Sequence, residues 1–226
     1  MSTFAKQKFQ SLAKVPPGPA LTEANTFIEG ICGAICAGHE QWRSMAAVSG
    51  VVINGPTAIG GRLEGPGIDA MMGAYAPQAG LQGWAPKYSR AITSVMTAVW
   101  KEFLQTFRVP GIAWYPTFAA FPGPSAPATP NIPSPLGACT GGASMFSAGT
   151  LKARMIGALG GPGPSSAEVF ESVATGFQQS IQVWLSVQML TNVLGMGPVP
   201  TFSPPTIPVG PVVGGNVIPM PGHLKA

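Results

Sequence analysis

The chain of 226 residues holds 30 glycines and 25 prolines against only 12 Lys+Arg and 8 Asp+Glu, with a net charge of +4. Hydrophobic residues make up 46% of it, which excludes the common form of disorder, where low hydrophobicity accompanies high net charge. The best membrane-spanning candidate, 181–194, is shorter than the ~20 apolar residues required and is broken by Gln182, Ser186, Gln188, Thr191 and Asn192.

Residues 1–20 read as an N-terminal arm or short helix, with Lys6, Lys8 and Lys14 interleaved with Phe4, Phe9 and Leu12, and nothing there reads as a secretory signal. Three larger segments follow: 21–67, 68–143 and 144–226. Each is expected to be a helix followed by an extended Gly/Pro-rich arm. The first helix is predicted over Thr22–Val48, with Thr22 or Asn25 as its cap. Its arm, 50–67, alternates short β-prone runs with turn residues.

The second helix is predicted over Tyr88–Phe107, where Ile92, Val95, Val99, Phe103 and Phe107 recur at helical spacing and Pro110 ends the run. The following arm, 110–136, holds eight prolines and can be neither helix nor central strand. A smaller helix is predicted over Ser144–Leu159, stopped by Gly160-Gly161-Pro162-Gly163. The third long helix is predicted over Ser165–Leu194, capped by Ser165 or Ser166, and 197–222 forms the last arm. The expected fold class is therefore mainly α with extended Gly/Pro-rich arms and some short β, arranged as a threefold helix-plus-arm repeat.

The repeat rests on tryptophan. Trp42 precedes Val51 by nine residues, Trp100 precedes Val109 and Trp184 precedes Val193. The position three after each Trp is apolar: Met45, Phe103 and Val187. These six Trp and Val residues are the expected structural anchors. On the arms, Phe118, Phe121, Phe202, Ile207, Val212 and Ile218 are the expected contacts with neighbouring subunits, because apolar side chains on extended chain favour lying along another surface.

Few residues offer chemistry. His39 and His223 belong to no metalloprotease or triad pattern, and both read as surface or helix-face polar groups. Cys32, Cys36 and His39 share one helical face at i, i+4 and i+7, but they lack a fourth zinc ligand, so core packing is the expectation. Three cysteines, counting Cys139, make no disulfide framework. The run from Gly55 to Arg62 imitates a phosphate-binding loop but has Gly61 and Arg62 where Lys and Ser/Thr are needed. No catalytic residue, metal or cofactor is assigned, and no cluster of basic and aromatic residues suggests specific nucleic-acid binding.

Charge is absent from 109–151, and beyond 171 the sole charged residue is Lys225. Free monomers cover their surfaces with mixed charge, so these neutral stretches suggest contact with other chains. At its repeated Trp-x8-Val helices and neutral Gly/Pro arms, the sequence resembles structural proteins of bacteriophage virions and phage-tail-like injection machines. The likeness is one of texture over residues 25–225. It implies a multimeric part of a neck, tail or baseplate, made in the bacterial cytoplasm, whose partners are copies of itself and other particle proteins. The alternative is a membrane-associated protein that inserts its low-charge helices; a hydrolase with a very small acid–base set is the third reading.

Overall fold

The computed structural model describes residues 1–13, 17–68, 72, 83–109, 111–136, 143–204 and 209–224. Lys14, Pro110, Cys139, Ile207 and Lys225 lie outside these residues. Among the described residues the fold is mixed: six α-helices and a set of short antiparallel strands.

The chain divides into two compact units, each built from three separate stretches. A helical unit comprises Met1–Trp42, Gly67–Phe103 and Gly142–Trp184; a β unit comprises Arg43–Pro66, Leu104–Gly141 and Leu185–Ala226. The expected segments were contiguous, whereas these units are interleaved. The two passages back into the helical unit, at 66/67 and 141/142, fall within two residues of the segment ends expected at 67/68 and 143/144.

The helical unit holds α1 (Ser2–Ala13), most of α2 (Pro19–Met45), most of α3 (Ala85–Thr106), a 3-10 turn at Ala143–Phe146, α5 (Ala148–Leu159) and most of α6 (Ser166–Val187). Helix α2 starts three residues before the expected cap, because Pro19 supplies a φ suited to a first turn. The Thr22 hydroxyl donates to Gly18 O at 3.2 Å, so Thr22 sits inside that turn rather than capping it. Helix α3 buries Ile92, Val95, Val99 and Phe103, the stripe its periodicity foretells. Ser147 caps α5 by accepting from the Thr150 N–H, and Gly160 closes it in the left-handed region at φ 85°.

Helix α6 stops at Val187, short of the expected Leu194. Gln188 holds the chain extended there: its amide donates to Met189 O at 2.9 Å and Leu224 O at 3.0 Å, while its carbonyl accepts from the Leu136 N–H. Helix α1 packs close against α6 because position 176 is glycine; a Cβ there would stand 2.9 Å from Met1 O and 3.0 Å from Ala5 Cβ. Lys8 and Lys152 both pair with Glu171, at 3.2 and 2.8 Å, joining α1 and α5 to α6. None of the helices described is long and apolar enough to cross a membrane.

The β unit contains strands β1 (Ala47–Asn54), β2 (Thr57–Glu64), β3 (Ser125–Pro130), β4 (Ser134–Pro135), β5 (Met189–Leu190), β6 (Leu194–Pro198) and β7 (Val213–Val217), with the short helix α4 (Pro116–Ala119). One antiparallel sheet runs β2-β1-β7-β6-β3, and β4 pairs with β5 separately. The β1–β2 hairpin turns through Gly55-Pro56, with Gly55 at φ 65°, the positive angle a two-residue hairpin loop requires. The segments expected as free arms thus supply strands to a common sheet.

The inner face of that sheet is built on close backbone approach. Val51, Ile53 and Val217 are buried there, and Gly195 and Gly197 alternate inward on β6. A Cβ on Gly195 would lie 2.6 Å from Trp114 Cε2 and 2.7 Å from Ile53 Cδ1. The Trp114 ring is locked in turn by its indole N–H, which donates to Thr129 O at 3.0 Å. Gly195→Ala is therefore expected to destabilise the protein by about 1–3 kcal/mol through overpacking. Gly33→Ala, at a helical site with no atom within 4 Å, should stabilise it, by about 0.5–1 kcal/mol. Urea unfolding of both variants reads the two signs.

Candidate functional site

The three repeat tryptophans meet. In the helical unit the rings of Trp42 and Trp100 lie 4.8 Å apart, those of Trp42 and Trp184 6.3 Å, and those of Trp100 and Trp184 6.2 Å. His39 packs among them, edge-on to Trp184 at 4.8 Å and to Trp100 at 5.4 Å. Each Trp stands near the C-terminal end of its helix. Near the opposite ends, Phe27 touches Trp84, Trp84 touches Tyr88, and Tyr88 touches Phe170. Two aromatic layers at corresponding ends mean that α2, α3 and α6 run in the same direction. Phe103, Phe146 and Phe177 extend the layer at the tryptophan end.

The buried indole N–H groups of Trp42 and Trp100 find no hydrogen-bond acceptor among the described residues. Such a donor costs roughly 1–3 kcal/mol, a cost that the ring packing around it must offset. The position three residues after each Trp is not uniform, since Phe103 is buried, Met45 is half-buried and Val187 is exposed.

Val51, Val109 and Val193 are all buried in the β unit. Val51 and Val109 both flank Gly61, and the Val109 N–H donates to Gly61 O at 3.1 Å. The Val193 N–H donates to Asn131 Oδ1 at 2.9 Å, while the Asn131 amide donates to Ile132 O and Leu190 O. Asn131 thereby ties the second sequence segment to the third, a role that its position in a proline-rich run gave no reason to expect.

The six expected arm contacts divide. Phe118 and Val212 are only 2% and 0% exposed, because their segments fold back into the β unit, so neither is open to a neighbouring subunit. Phe121, Phe202 and Ile218 are half-buried, and Ile207 lies outside the described residues. The large apolar side chains that are exposed in the β unit are others: Val52, Ile59, Tyr115, Val187, Met196, Val209, Val213 and Met220.

His223, expected at the surface, is 1% exposed. Its Nδ1 accepts from the Val48 N–H at 2.9 Å, and its carbonyl accepts from the Thr191 N–H at 3.0 Å, so it fastens the last residues to the start of β1 and to β5. Accepting at Nδ1 places the ring proton on Nε2, which is buried and has no partner among the described residues. Burial pushes the His223 pKa below its ordinary value.

Cys32 is buried, and that burial, reinforced by Cys36, lifts its thiol to about 12, far from a reactive or metal-binding thiolate. Cys36 is exposed, with its Sγ 4.0 Å from Met1 Sδ. Among the described residues no three His, Cys, Asp or Glu side chains gather as metal ligands do. Three concavities lie in the helical unit. One of about 450 Å³ is walled by Trp84, Lys87, Tyr88 and the Gly160–Pro164 turn, where the Tyr88 hydroxyl donates to Pro164 O at 2.6 Å. A second adjoins it at Lys87, Arg90 and Ser94, and a third, smaller one includes Glu23. Their walls bring one carboxylate and no histidine. No protein-family model, curated protein or solved structure matches the chain.

Truncating the cluster separates size from polarity. Trp100→Ala should cost about 3–5 kcal/mol. Trp100→Phe should cost much less, since it keeps an aromatic ring and removes an orphaned donor; equilibrium urea unfolding compares them. For His223 the folded pKa is depressed, so its stabilisation is complete above the unfolded value of 6.5 and is lost as pH falls below it. The loss approaches about 1.4 kcal/mol per pH unit. The melting temperature should therefore fall between pH 7 and 5 more steeply in the native protein than in His223→Asn, whose side-chain oxygen can still accept from Val48.

Proposed function

We propose that the protein is a non-enzymatic structural subunit of a multimeric assembly, most consistent in character with a neck, tail or baseplate part of a phage or phage-like particle. Copies of itself and other structural proteins of the particle are its partners, and it is made in the bacterial cytoplasm. Neither specific nucleic acid nor a membrane is assigned as a partner.

One observation carries this reading: the charge deficit is concentrated in the β unit. That unit spans Arg43–Pro66, Leu104–Gly141 and Leu185–Ala226, yet its charged residues are only Arg43, Arg62, Glu64, Arg108 and Lys225. It also exposes the valines, isoleucine and methionines named above. Surfaces depleted in charge and enriched in Met and aromatic groups are those that become interface cores. The helical unit, with the other fifteen charged residues, has the mixed surface of a solvated body.

The finer architecture belongs to the same proposal. Three helix-plus-arm repeats each give a tryptophan-ended helix to one unit and a Gly/Pro-rich, buried-valine segment to the other. Meeting of the three tryptophans and the passages at 66/67 and 141/142 support this. The membrane-insertion reading has less support, because α6 keeps Gln178, Gln179 and Gln182 within its apolar sequence.

Sedimentation velocity over a wide concentration series tests the proposal, alone and after co-expression with the products of neighbouring genes. Higher-order species are expected in one or both settings. A compact monomer in every setting would overturn it, and co-sedimentation with liposomes would transfer support to the membrane reading.

A further inference from the structure

The outer face of the five-stranded sheet carries exposed apolar side chains on four of its strands. Val52 on β1 stands directly opposite Ile59 on β2, and they are 45% and 65% exposed. Asn54, on the same face as Val52, pairs with the exposed Val213 of β7 across a bulge, and the Asn54 side-chain Oδ1 accepts from the Gly214 N–H at 3.0 Å. On the next strand Met196 of β6 stands opposite Asn216. Ile59, Val52, Val213 and Met196 thus lie exposed on four adjacent strands, with Asn54 opposite Val213 and Asn216 opposite Met196, while Val51 and Ile53 of β1 are buried.

The sheet's edges are less available than this face. Strand β3 forms one edge and carries Pro127 and Pro130, neither of which has an N–H to donate. Strand β2 forms the other, and it is already engaged: the Ala58 N–H donates to Ile112 O and Gly61 O accepts from the Val109 N–H. Association through this sheet is accordingly directed to its face.

From this geometry we infer that the outer face of the sheet, centred on Val52 and Ile59, is the docking surface for a second copy of this chain, packed face to face about a twofold axis. The inference rests on the multimeric reading above and names the surface for it. Charge decides the occupant. The charged residues on β1, β2, β7 and β6 are Arg62 and Glu64, which neutralise one another at 2.6 Å. A face that is neutral within itself meets its own copy without like-charge repulsion, and it offers nothing for a charged partner to recognise. Area is consistent with the same occupant. Five strands at ~4.8 Å spacing and about six residues at ~3.3 Å give roughly 500 Å² per partner. Two such faces bury about 1,000 Å², the lower bound for a specific interface, so the dimer should be reversible and concentration-dependent. The facing sheets would stand ~10 Å apart, and Val, Ile and Met would interdigitate between them.

The test is sedimentation equilibrium on the full chain, comparing the native protein with Ile59→Lys, Ile59→Thr and Val52→Lys. Phe4→Lys, at an exposed apolar position on α1, serves as the control. Circular dichroism and thermal melting verify that each variant is folded; Ile59→Thr keeps a β-branched residue in case lysine disturbs the strand. A weakening of self-association by about tenfold or more is expected for the face variants, with Phe4→Lys unchanged. Folded face variants that associate like the native protein would overturn this surface while leaving the multimeric reading intact. A native protein that is monomeric alone but assembles with a different subunit would do the same. A chain that is monomeric in every setting would remove both.

Discussion

Packing of three tryptophans around His39 is the constraint from which the chain's topology follows. Helices α2, α3 and α6 contribute one indole each near their C-terminal ends, and a second aromatic layer joins their N-terminal ends. Helices running in the same direction cannot be joined by tight turns. After each one the chain must return over the ~33 Å length of a 22-residue helix before the next can begin. Between the long helices the chain passes through the β unit, over Arg43–Pro66 and Leu104–Gly141, and then re-enters the helical unit before the next long helix begins.

Glycine and proline are the means by which the β unit meets that requirement with little charge and few large side chains. Gly195 faces Trp114 and Ile53 at distances that no side chain would permit, and Gly55 opens the hairpin that starts the sheet. Pro127 and Pro130 sit on an edge strand, where a missing N–H is harmless to the sheet and obstructs further strand addition. A composition that resembles low complexity therefore encodes close approach inside the sheet and protection at its edge. Polar side chains complete the arrangement from within. Asn131, Gln188 and His223 each satisfy backbone groups of distant segments where ladder pairing is interrupted.

Much of the helical unit was legible in the sequence, because helices are written in local spacing. Ile92, Val95, Val99 and Phe103 at three- and four-residue steps give the buried face of α3 directly. Shared register singles out Trp42, Trp100 and Trp184 from the sequence. The end of α6 was less legible: Ile181 through Leu194 is apolar enough to continue a helix. What stops it is a set of bonds from Gln188 to Leu136 and Leu224, distant partners with no local signature. His223 was obscured in the same way, since a polar residue three places before the last offers no sign that its ring will accept from Val48.

The sequence alone determined the bodies of the long helices, though not all their ends, and that the Gly/Pro-rich segments carry almost no charge. These properties follow from neighbours three or four residues apart or from composition. Only the tertiary structure decided that those segments join one sheet, that β7 lies between β1 and β6, and that Phe118 and Val212 face inward while Val52 and Ile59 face out. Strand order depends on closing long loops around shapes such as the Trp114 ring against Gly195. An apolar residue on a proline-rich segment carries no local mark of whether its partner is its own chain or another.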